Sequence, residues 1–456
     1  MDALVVVLAH RGDPQGRMSF FRNLAGVLLT TAASAPIGLV TSILLARFLS
    51  TDDRGLYAIA VTFAATATML FQFGWPTAAI YRLRSAQQRP AEVSTAVLVF
   101  LGGIGTLVVL ASVAIEAPLR ERLLSDLPKG IFYLALVTVP FRLLANGFGS
   151  IARGIDRFRY ENWYAFLLQA ANLLAIAITI VWLGGALGEL MAGLAIVYGT
   201  LVIGLIVAVV RQTGVGGRLK PSEMRSSLRF GLKTYAMTVT GRLHERVDIF
   251  MLAALLADPT QIAFYAIAKG AIQLVQLLPS AVAKVAYPQL AELQKDDAAE
   301  FACSLVRQGL LFTLPASLIL FVAGPLLLPL VYGAPYAASV LPFLLLLPAV
   351  ILLGTEGVLA RYFTGTNRHK PNIVTRGVTL CVNVALNWIW IPKYGIAGAA
   401  AAALASSVVD AVLIVGVFLS VSGRQMRDLV AIRRTDLEPY LRQLGKFAAR
   451  LRPSTP

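Results

Sequence analysis

Residues 233–256 read KTYAMTVTGRLHERVDIFMLAALL, the most polar span of the chain, with a charged cluster of Arg242, His244, Glu245, Arg246 and Asp248 near its middle. On a helix Arg242 and Arg246 are neighbours four apart, with roughly 6 Å between their Cβ atoms, and Glu245 lies beside Arg242 at a spacing of three. Two guanidinium forks one turn apart suit a diphosphate, because each donates bidentate hydrogen bonds to phosphate oxygens. His244 and Asp248, also four apart, suit carriage of a proton or the holding of a coupling cation. The competing structural reading is that these charges satisfy one another and lock helices together. That reading is stronger for Arg242, with Glu245 beside it, than for Arg246, whose local partners are poorer.

What the cluster can do depends on where it lies. Only 14% of the 456 residues are charged and 57% are hydrophobic, against about a quarter charged in soluble domains. The chain therefore reads as an all-α, polytopic membrane protein. At about 20 apolar residues per crossing, twelve spans fall near 24–48, 56–80, 93–115, 130–152, 163–183, 190–210, 232–256, 262–287, 309–332, 339–360, 373–391 and 397–420.

A net charge of +16 would suit a nucleic-acid binder, but the charge is sorted by side. With residue 1 in the cytoplasm, the inward segments hold 28 of the 40 Lys and Arg residues, and the outward loops hold five: Arg54, Arg120, Arg122, Lys129 and Lys393. That bias puts both termini in the cytoplasm and argues for membrane lipids, not nucleic acid, as the surroundings. Residues 1–23 form a cytoplasmic segment, in which Met18 looks like a natural start and residues 1–17 like an upstream extension. The two cysteines, Cys303 and Cys381, give no disulfide framework.

Seven basic residues remain inside spans: Arg47, Arg142, Arg242, Arg246, Lys269, Lys284 and Arg376. Arg47, Lys284 and Arg376 lie within a turn or two of an interface, where a long side chain can reach water. Lys269 lies deeper and is a cavity candidate. Arg142 is near the midplane, with Asp410 or Glu356 as its expected partner.

The chain repeats itself. YAIA at 57–60 returns at 265–268, an offset of 208; the turn carrying Gly154, Asp156 and Arg157 returns 211 positions later as Gly365, Asn367 and Arg368; Asn172 and Gly184 return as Asn383 and Gly395. Such an offset covers six spans, an even number, so the halves are parallel repeats with a substrate path expected between them. The expected organisation is a six-helix bundle at 24–210, a basic linker at 211–231, a second bundle at 232–420 and a basic tail at 421–456. In the tail, Leu429, Ile432, Leu437, Leu441 and Leu444 alternate with basic residues, which suits either an anionic membrane surface or an ordinary solvated basic tail.

No GxxxxGK[ST] phosphate loop is present, so energy would come from H+ or Na+, or from consumption of the transported molecule on the far side. The histidines His10, His244 and His369 make no metal constellation, no cofactor is expected, and no large outer loop offers room for an enzyme's chemistry.

At 380–400 the chain reads LCVNVALNWIWIPKYGIAGAA, in which Asn383, Asn387, Pro392, Tyr394, Gly395, Gly398 and Ala399 resemble the eleventh-to-twelfth helix signature of Wzx-type polysaccharide flippases. LLARFLSTDDRGLYAIA resembles that family's first hairpin, and the R-x-D of Arg246 to Asp248 its seventh helix; the likeness covers about 19–420. It implies membership of the superfamily, termed MOP, that also holds the lipid II flippases and the MATE exporters. It also implies movement of an undecaprenyl-pyrophosphate-linked oligosaccharide across the bacterial inner membrane by alternating access, with a polysaccharide polymerase and other assembly proteins as partners. Substrate binding then falls to Arg47, Arg242, Arg246, Lys269 and Lys284, and ion coupling to Asp248, His244 and Glu245. A lipid II flippase and a cation-coupled drug exporter are the competing readings. The first usually has two more helices, and the second favours an acidic or neutral cavity.

Overall fold

A computed structural model describes residues 33–85, 88–118, 126–217, 221–256, 258–293, 295–433 and 436. Among them the fold is all-α. The helices are α1 (Ala33–Phe48), α2 (Thr51–Phe71), α3 (Trp75–Arg84), α4 (Pro90–Ala114), α5 (Lys129–Gly154), α6 (Phe158–Ile176, continued by a π-helical turn Ala177–Trp182) and α7 (Leu187–Thr213). There follow α8 (Pro221–Leu256), α9 (Pro259–Glu292), α10 (Lys295–Tyr332), a 3-10 turn at Ala334–Ser339, α11 (Val340–Gly365), α12 (His369–Ser422) and the short α13 (Met426–Val430). Eight of the described helices are long and apolar enough to cross a membrane.

The second expected span, 56–80, is broken by the turn at 72–74 into α2 and α3, residues 24–32 of the first lie outside the described residues, and α12 holds the last two spans across a break at Gly395 (φ 57, ψ −136); the other spans fall each on one helix, the fifth continuing into the π-helical turn after α6. Pro392, which cannot donate its backbone nitrogen, lies just before that break. On α10, Leu318, Val322 and Leu326 are 66%, 74% and 72% exposed. Their spacing of four puts them on one helix face, and so large an apolar exposure on a single stripe is the surface that lipid covers.

The repeat is visible in backbone angles. Asp156 and Asn367 both adopt the left-handed conformation, at φ 59 and 58. The following residue closes each turn in the same way: Arg157 donates its N–H to the Ala152 carbonyl at 2.8 Å, and Arg368 donates to that of Phe363 at 2.7 Å. Gly184 and Gly395, also 211 apart, are left-handed at φ 61 and 57. Two turns in each half thus share sequence position and unusual geometry. At the tips of the first hairpin of each half, Thr260 donates to the Asp52 carboxylate, a pairing across 208 positions and so between repeat equivalents. Gly55 makes that approach possible, since a Cβ there would lie 1.8 Å from the Pro259 carbonyl oxygen.

By packing, the chain divides into two compact units. The first holds the described residues up to Ile267 together with Leu327–Ser339 and Val384–Ala399. Its core includes Val97, Leu101, Phe132, Val139, Leu143 and Phe148, all fully buried. At one end of this unit α3 meets α8, with the rings of Tyr81 and Phe230 stacked at 4.4 Å and Arg82 donating to Ser226 at 2.7 Å.

The second unit holds Ala268–Leu326, Val340–Asn383 and the described residues from Ala400 onward. Its core gathers Leu290, Cys303, Phe363 and Phe418. Leu429 belongs to that core at 1% exposure, which corrects the expectation that it would face the membrane surface. The cause is Arg307, itself 2% exposed, which grips Asp436 at 2.7 Å and the Asp428 carbonyl, drawing the start of the tail against α10. Burial alone would push the Asp436 carboxyl up, but hydrogen bonds from Arg307 and from the Arg433 N–H hold it below the usual range. The rest of the tail, from residue 437, lies outside the described residues.

The paired glycines give a graded test. At Gly184 a Cβ meets nothing within 4 Å, so Gly184→Ala carries only the left-handed penalty of about 1–2 kcal/mol. At Gly395 a Cβ would also lie 2.9 Å from the Gln261 side-chain oxygen, so Gly395→Ala should destabilise more. Thermal unfolding in detergent should rank wild type above Gly184→Ala and that above Gly395→Ala. A Gly395→Ala protein as stable as wild type would contradict the geometry.

Candidate functional site

Span seven lies within α8, a helix from Pro221 to Leu256. Asp248, three residues after Glu245, is 3% exposed, and a carboxylate so placed needs hydrogen-bond donors. Two neutral ones are supplied from elsewhere in the first unit. The Tyr265 hydroxyl of α9 donates to Oδ2 at 2.8 Å, and the Asn387 amide of α12 donates to Oδ1 at 3.1 Å. Tyr265 and Asn387 are both fully buried. Sequence reasoning named neither as a partner of Asp248, although the signal was available: Tyr265 opens the second YAIA and Asn387 stands in the α12 signature. The hydrogen-bonded trio brings together three segments singled out for other reasons.

The remaining candidates divide between the units. His244 and Arg246 are half-buried in the first and Lys269 is half-buried in the second, each engaged with neighbours. The side chains of Arg242, Glu245 and Lys284 lie outside the described residues. Arg47 is exposed, and its guanidinium donates to the backbone carbonyls of Val331 at 2.8 Å and Leu330 at 2.5 Å. These are among the last carbonyls of α10, which have no partner within the helix, so Arg47 acts there as a C-terminal cap.

Two expectations are corrected. Glu356 takes Arg376 as its partner at 2.5 Å, and Asp410 accepts from Thr379 at 3.2 Å. Arg142 instead lies with its guanidinium carbon 4.3 Å from the centre of the Tyr198 ring, and it donates to the Thr138 hydroxyl at 3.3 Å. A cation over an aromatic face is held by the ring's negative quadrupole, so a carboxylate is not required. Arg54, counted among the outward-loop residues, is 7% exposed and sits 5.4 Å over Tyr57.

An all-α membrane protein with two left-handed turns repeated 211 residues apart and a buried carboxylate on its seventh span now has its chemistry in view. Residues 44–341 match the family described as polysaccharide biosynthesis protein. The chain belongs to that family. It is 23% identical over 381 residues to the probable low-salt glycan biosynthesis flippase Agl15 of Haloferax volcanii, covering 81% of this chain and 77% of that one. Among solved structures it is similar to the lipid II flippase MurJ in an inward closed conformation, with a TM-score of 0.73, 15% identity and 94% of each chain covered. It is similar also to an inward-facing MATE multidrug transporter of the MOP superfamily, with a TM-score of 0.69, 12% identity and coverage of 86% of this chain and 96% of that one. The family member described here is thus a multi-pass membrane protein with the fold of MOP transporters, and its relatives are flippases and transporters, not enzymes.

The Asp248 trio has a direct test in its repeat-related tyrosine. Tyr265→Phe removes a hydrogen bond to a buried charged group and should cost about 1.5–3 kcal/mol. Tyr57, the equivalent residue 208 positions earlier, makes no such bond to a carboxylate among the described residues, so Tyr57→Phe should cost much less. Unfolding of the two variants in the same detergent compares them, and equal losses would mean that Tyr265 does not hold Asp248.

Proposed function

We propose that this protein moves an undecaprenyl-pyrophosphate-linked oligosaccharide from the inner to the outer leaflet of a bacterial inner membrane, by alternating access, for surface polysaccharide assembly. The observation that carries the reading is the combination, in one family member of polysaccharide biosynthesis, of Arg246 and the fully engaged carboxylate Asp248 on span seven. A lipid-linked sugar asks for three things: a path for the polar head, a cationic group for the diphosphate, and lipid outside for the polyprenyl tail. Both termini would lie in the cytoplasm, as the distribution of Lys and Arg indicates. A polymerase that lengthens the delivered units outside the membrane is the natural partner.

In this reading Arg246 grips the diphosphate as a bidentate donor, helped by Arg242, Lys269 and Lys284, while Arg47 braces the end of α10. Asp248, with His244 and Glu245 nearby in sequence, is the coupling site for H+ or Na+. Hydrogen bonds from Tyr265 and Asn387 orient the Asp248 carboxylate, whose oxygens are the kind of ligand that a coupling cation takes.

Two experiments separate these roles. In vesicles carrying a fluorescent lipid-linked oligosaccharide, Arg246→Lys should keep the charge yet lose at least tenfold in translocation rate, because an ammonium cannot reproduce the planar fork; wild-type transport by the Lys variant would reject the fork. Asp248→Asn should bind the headgroup nearly as well as wild type while its transport no longer responds to an imposed proton or sodium gradient. A full gradient response in that variant would make Asp248 a structural residue and turn attention to Glu245 and Glu356.

A further inference from the structure

α6 is exposed on two opposite sides, entirely within the first compact unit. At about 100° of turn per residue, Trp163, Leu167, Leu174 and Ile178 fall on one side, and all four are exposed. That apolar side is the one lipid covers. Asn162, Ala165, Gln169 and Asn172, at spacings of three and four, fall on the other side. There Ala165 and Gln169 are exposed, and Asn162 and Asn172 are half-buried. One turn further on, Ile176 continues this row and is fully buried, so the row closes toward Trp182.

Depth makes the second side informative. Trp163 and Trp182, 55% and 81% exposed, stand at the two ends of the span. At 1.5 Å per residue they are about 28 Å apart, which matches the aromatic belts at the two faces of a bilayer. Gln169 then lies about 9 Å inside the level of Trp163. An amide facing hydrocarbon at that depth is costly, so the side opposite the lipid-facing stripe meets water or a ligand.

The protein gives these amides no partner. Among the described residues Asn162, Gln169 and Asn172 make no side-chain hydrogen bond, and Oδ1 of Asn172, shut off from solvent, accepts from nothing. The repeat supplies the comparison. Asn383, 211 positions after Asn172, is fully buried and donates to Ser406 at 3.2 Å, so there the amide serves the fold. The equivalents of Asn162 and Gln169 are Ile373 and Leu380. The amide row is confined to the first half, and its one repeated member lacks the protein partner that its counterpart has.

A primary amide both donates and accepts hydrogen bonds, as a sugar hydroxyl does, and it carries no charge with which to prefer a phosphate. From Asn162 to Asn172 the row is about 15 Å long, enough to meet successive groups of a glycan. We propose that Asn162, Gln169 and Asn172 form a hydrogen-bonding row for the uncharged hydroxyl and acetamido groups of the transported oligosaccharide. The inference rests on the flippase reading for the ligand being a glycan, and it concerns residues other than the span-seven set.

Binding of three probes to the purified full-length chain in lipid nanodiscs tests it: bare undecaprenyl diphosphate, and the same carrier bearing N-acetylglucosamine or galactose. Wild type should bind at least one sugar-bearing carrier about tenfold more tightly than the bare one, as one or two net hydrogen bonds give. Gln169→Leu and Asn172→Leu should each erase most of that preference and leave the affinity for the bare carrier unchanged. Asn172→Leu should unfold no earlier than wild type, since it removes an unpaired buried oxygen, whereas Asn383→Leu should unfold earlier. Earlier unfolding of Asn172→Leu overturns its place in the row. A preference kept in both variants, or a wild type that binds all three probes alike, overturns the row and leaves the flippase reading intact. Equal loss of all three probes in the variants overturns it too, because the amides would then serve the fold or the headgroup. If Gln169→Leu does not fold, Asn162→Leu is judged by the same criteria. A wild type that binds none of the probes overturns both readings.

Discussion

Inside a bilayer, a charge must find its partner within the protein, because lipid supplies none. The interior of this molecule follows from that constraint. Several ions within the spans are met by different chemistries: Glu356 by a guanidinium, Asp248 by a phenol and an amide, Asp410 by a hydroxyl, Arg142 by an aromatic face, and the exposed Arg47 by helix-terminal carbonyls. Full neutralisation occurs in the Glu356–Arg376 pair. Arg142 is held instead by a ring and a hydroxyl, which lowers the cost of burying its charge with no carboxylate paired to it among the described residues, and Asp248 takes hydrogen bonds from a phenol and an amide. Charges left uncancelled at membrane depth are those that retain affinity for an ion or a headgroup.

The duplicated scaffold and the unduplicated charges serve different ends. Paired left-handed turns at Asp156 and Asn367 and at Gly184 and Gly395 keep the two halves alike in backbone. The equivalent tyrosines Tyr57 and Tyr265 then carry opposite neighbours, a guanidinium over one ring and a carboxylate accepting from the other hydroxyl. One repeat position has become a cationic site and its counterpart an anionic one. A carrier that handles an anionic headgroup and a driving cation in one cycle needs both.

Much of this was legible in the sequence, for stated physical reasons. Spans are local in the chain, so hydropathy finds them, although α8 and α10 run well beyond their apolar stretches on the N-terminal side and the stretch 56–80 is broken into α2 and α3. Left-handed turns need Gly, Asn or Asp, so their return at a fixed offset was visible as letters. The partners of buried charges were harder to read. Helical spacing reveals that His244 and Asp248 are neighbours on one segment, but it cannot reveal that Tyr265 and Asn387 reach Asp248 from other helices. Arg54 reads as a loop residue because it follows a run of polar residues, whereas the fold buries it over the Tyr57 ring. Leu429 was assigned to a membrane surface because its amphipathic pattern is equally suited to a protein surface, and only Arg307 decides between them.

The contact between Thr260 and Asp52 joins two equivalents of one ancestral position. Had the halves once been separate identical subunits related by a two-fold axis, the residue at this point would have faced its own copy, as happens at the centre of any isologous interface. Self-facing residues must be self-complementary, and a pair of aspartates there would repel. Joining two copies into a single gene lifts that restriction, because the two positions can then mutate independently. An acceptor on one tip and a donor on the other is a pairing that no symmetric homodimer can make at its axis, and it gives fusion of the two copies a selectable advantage at one hydrogen bond.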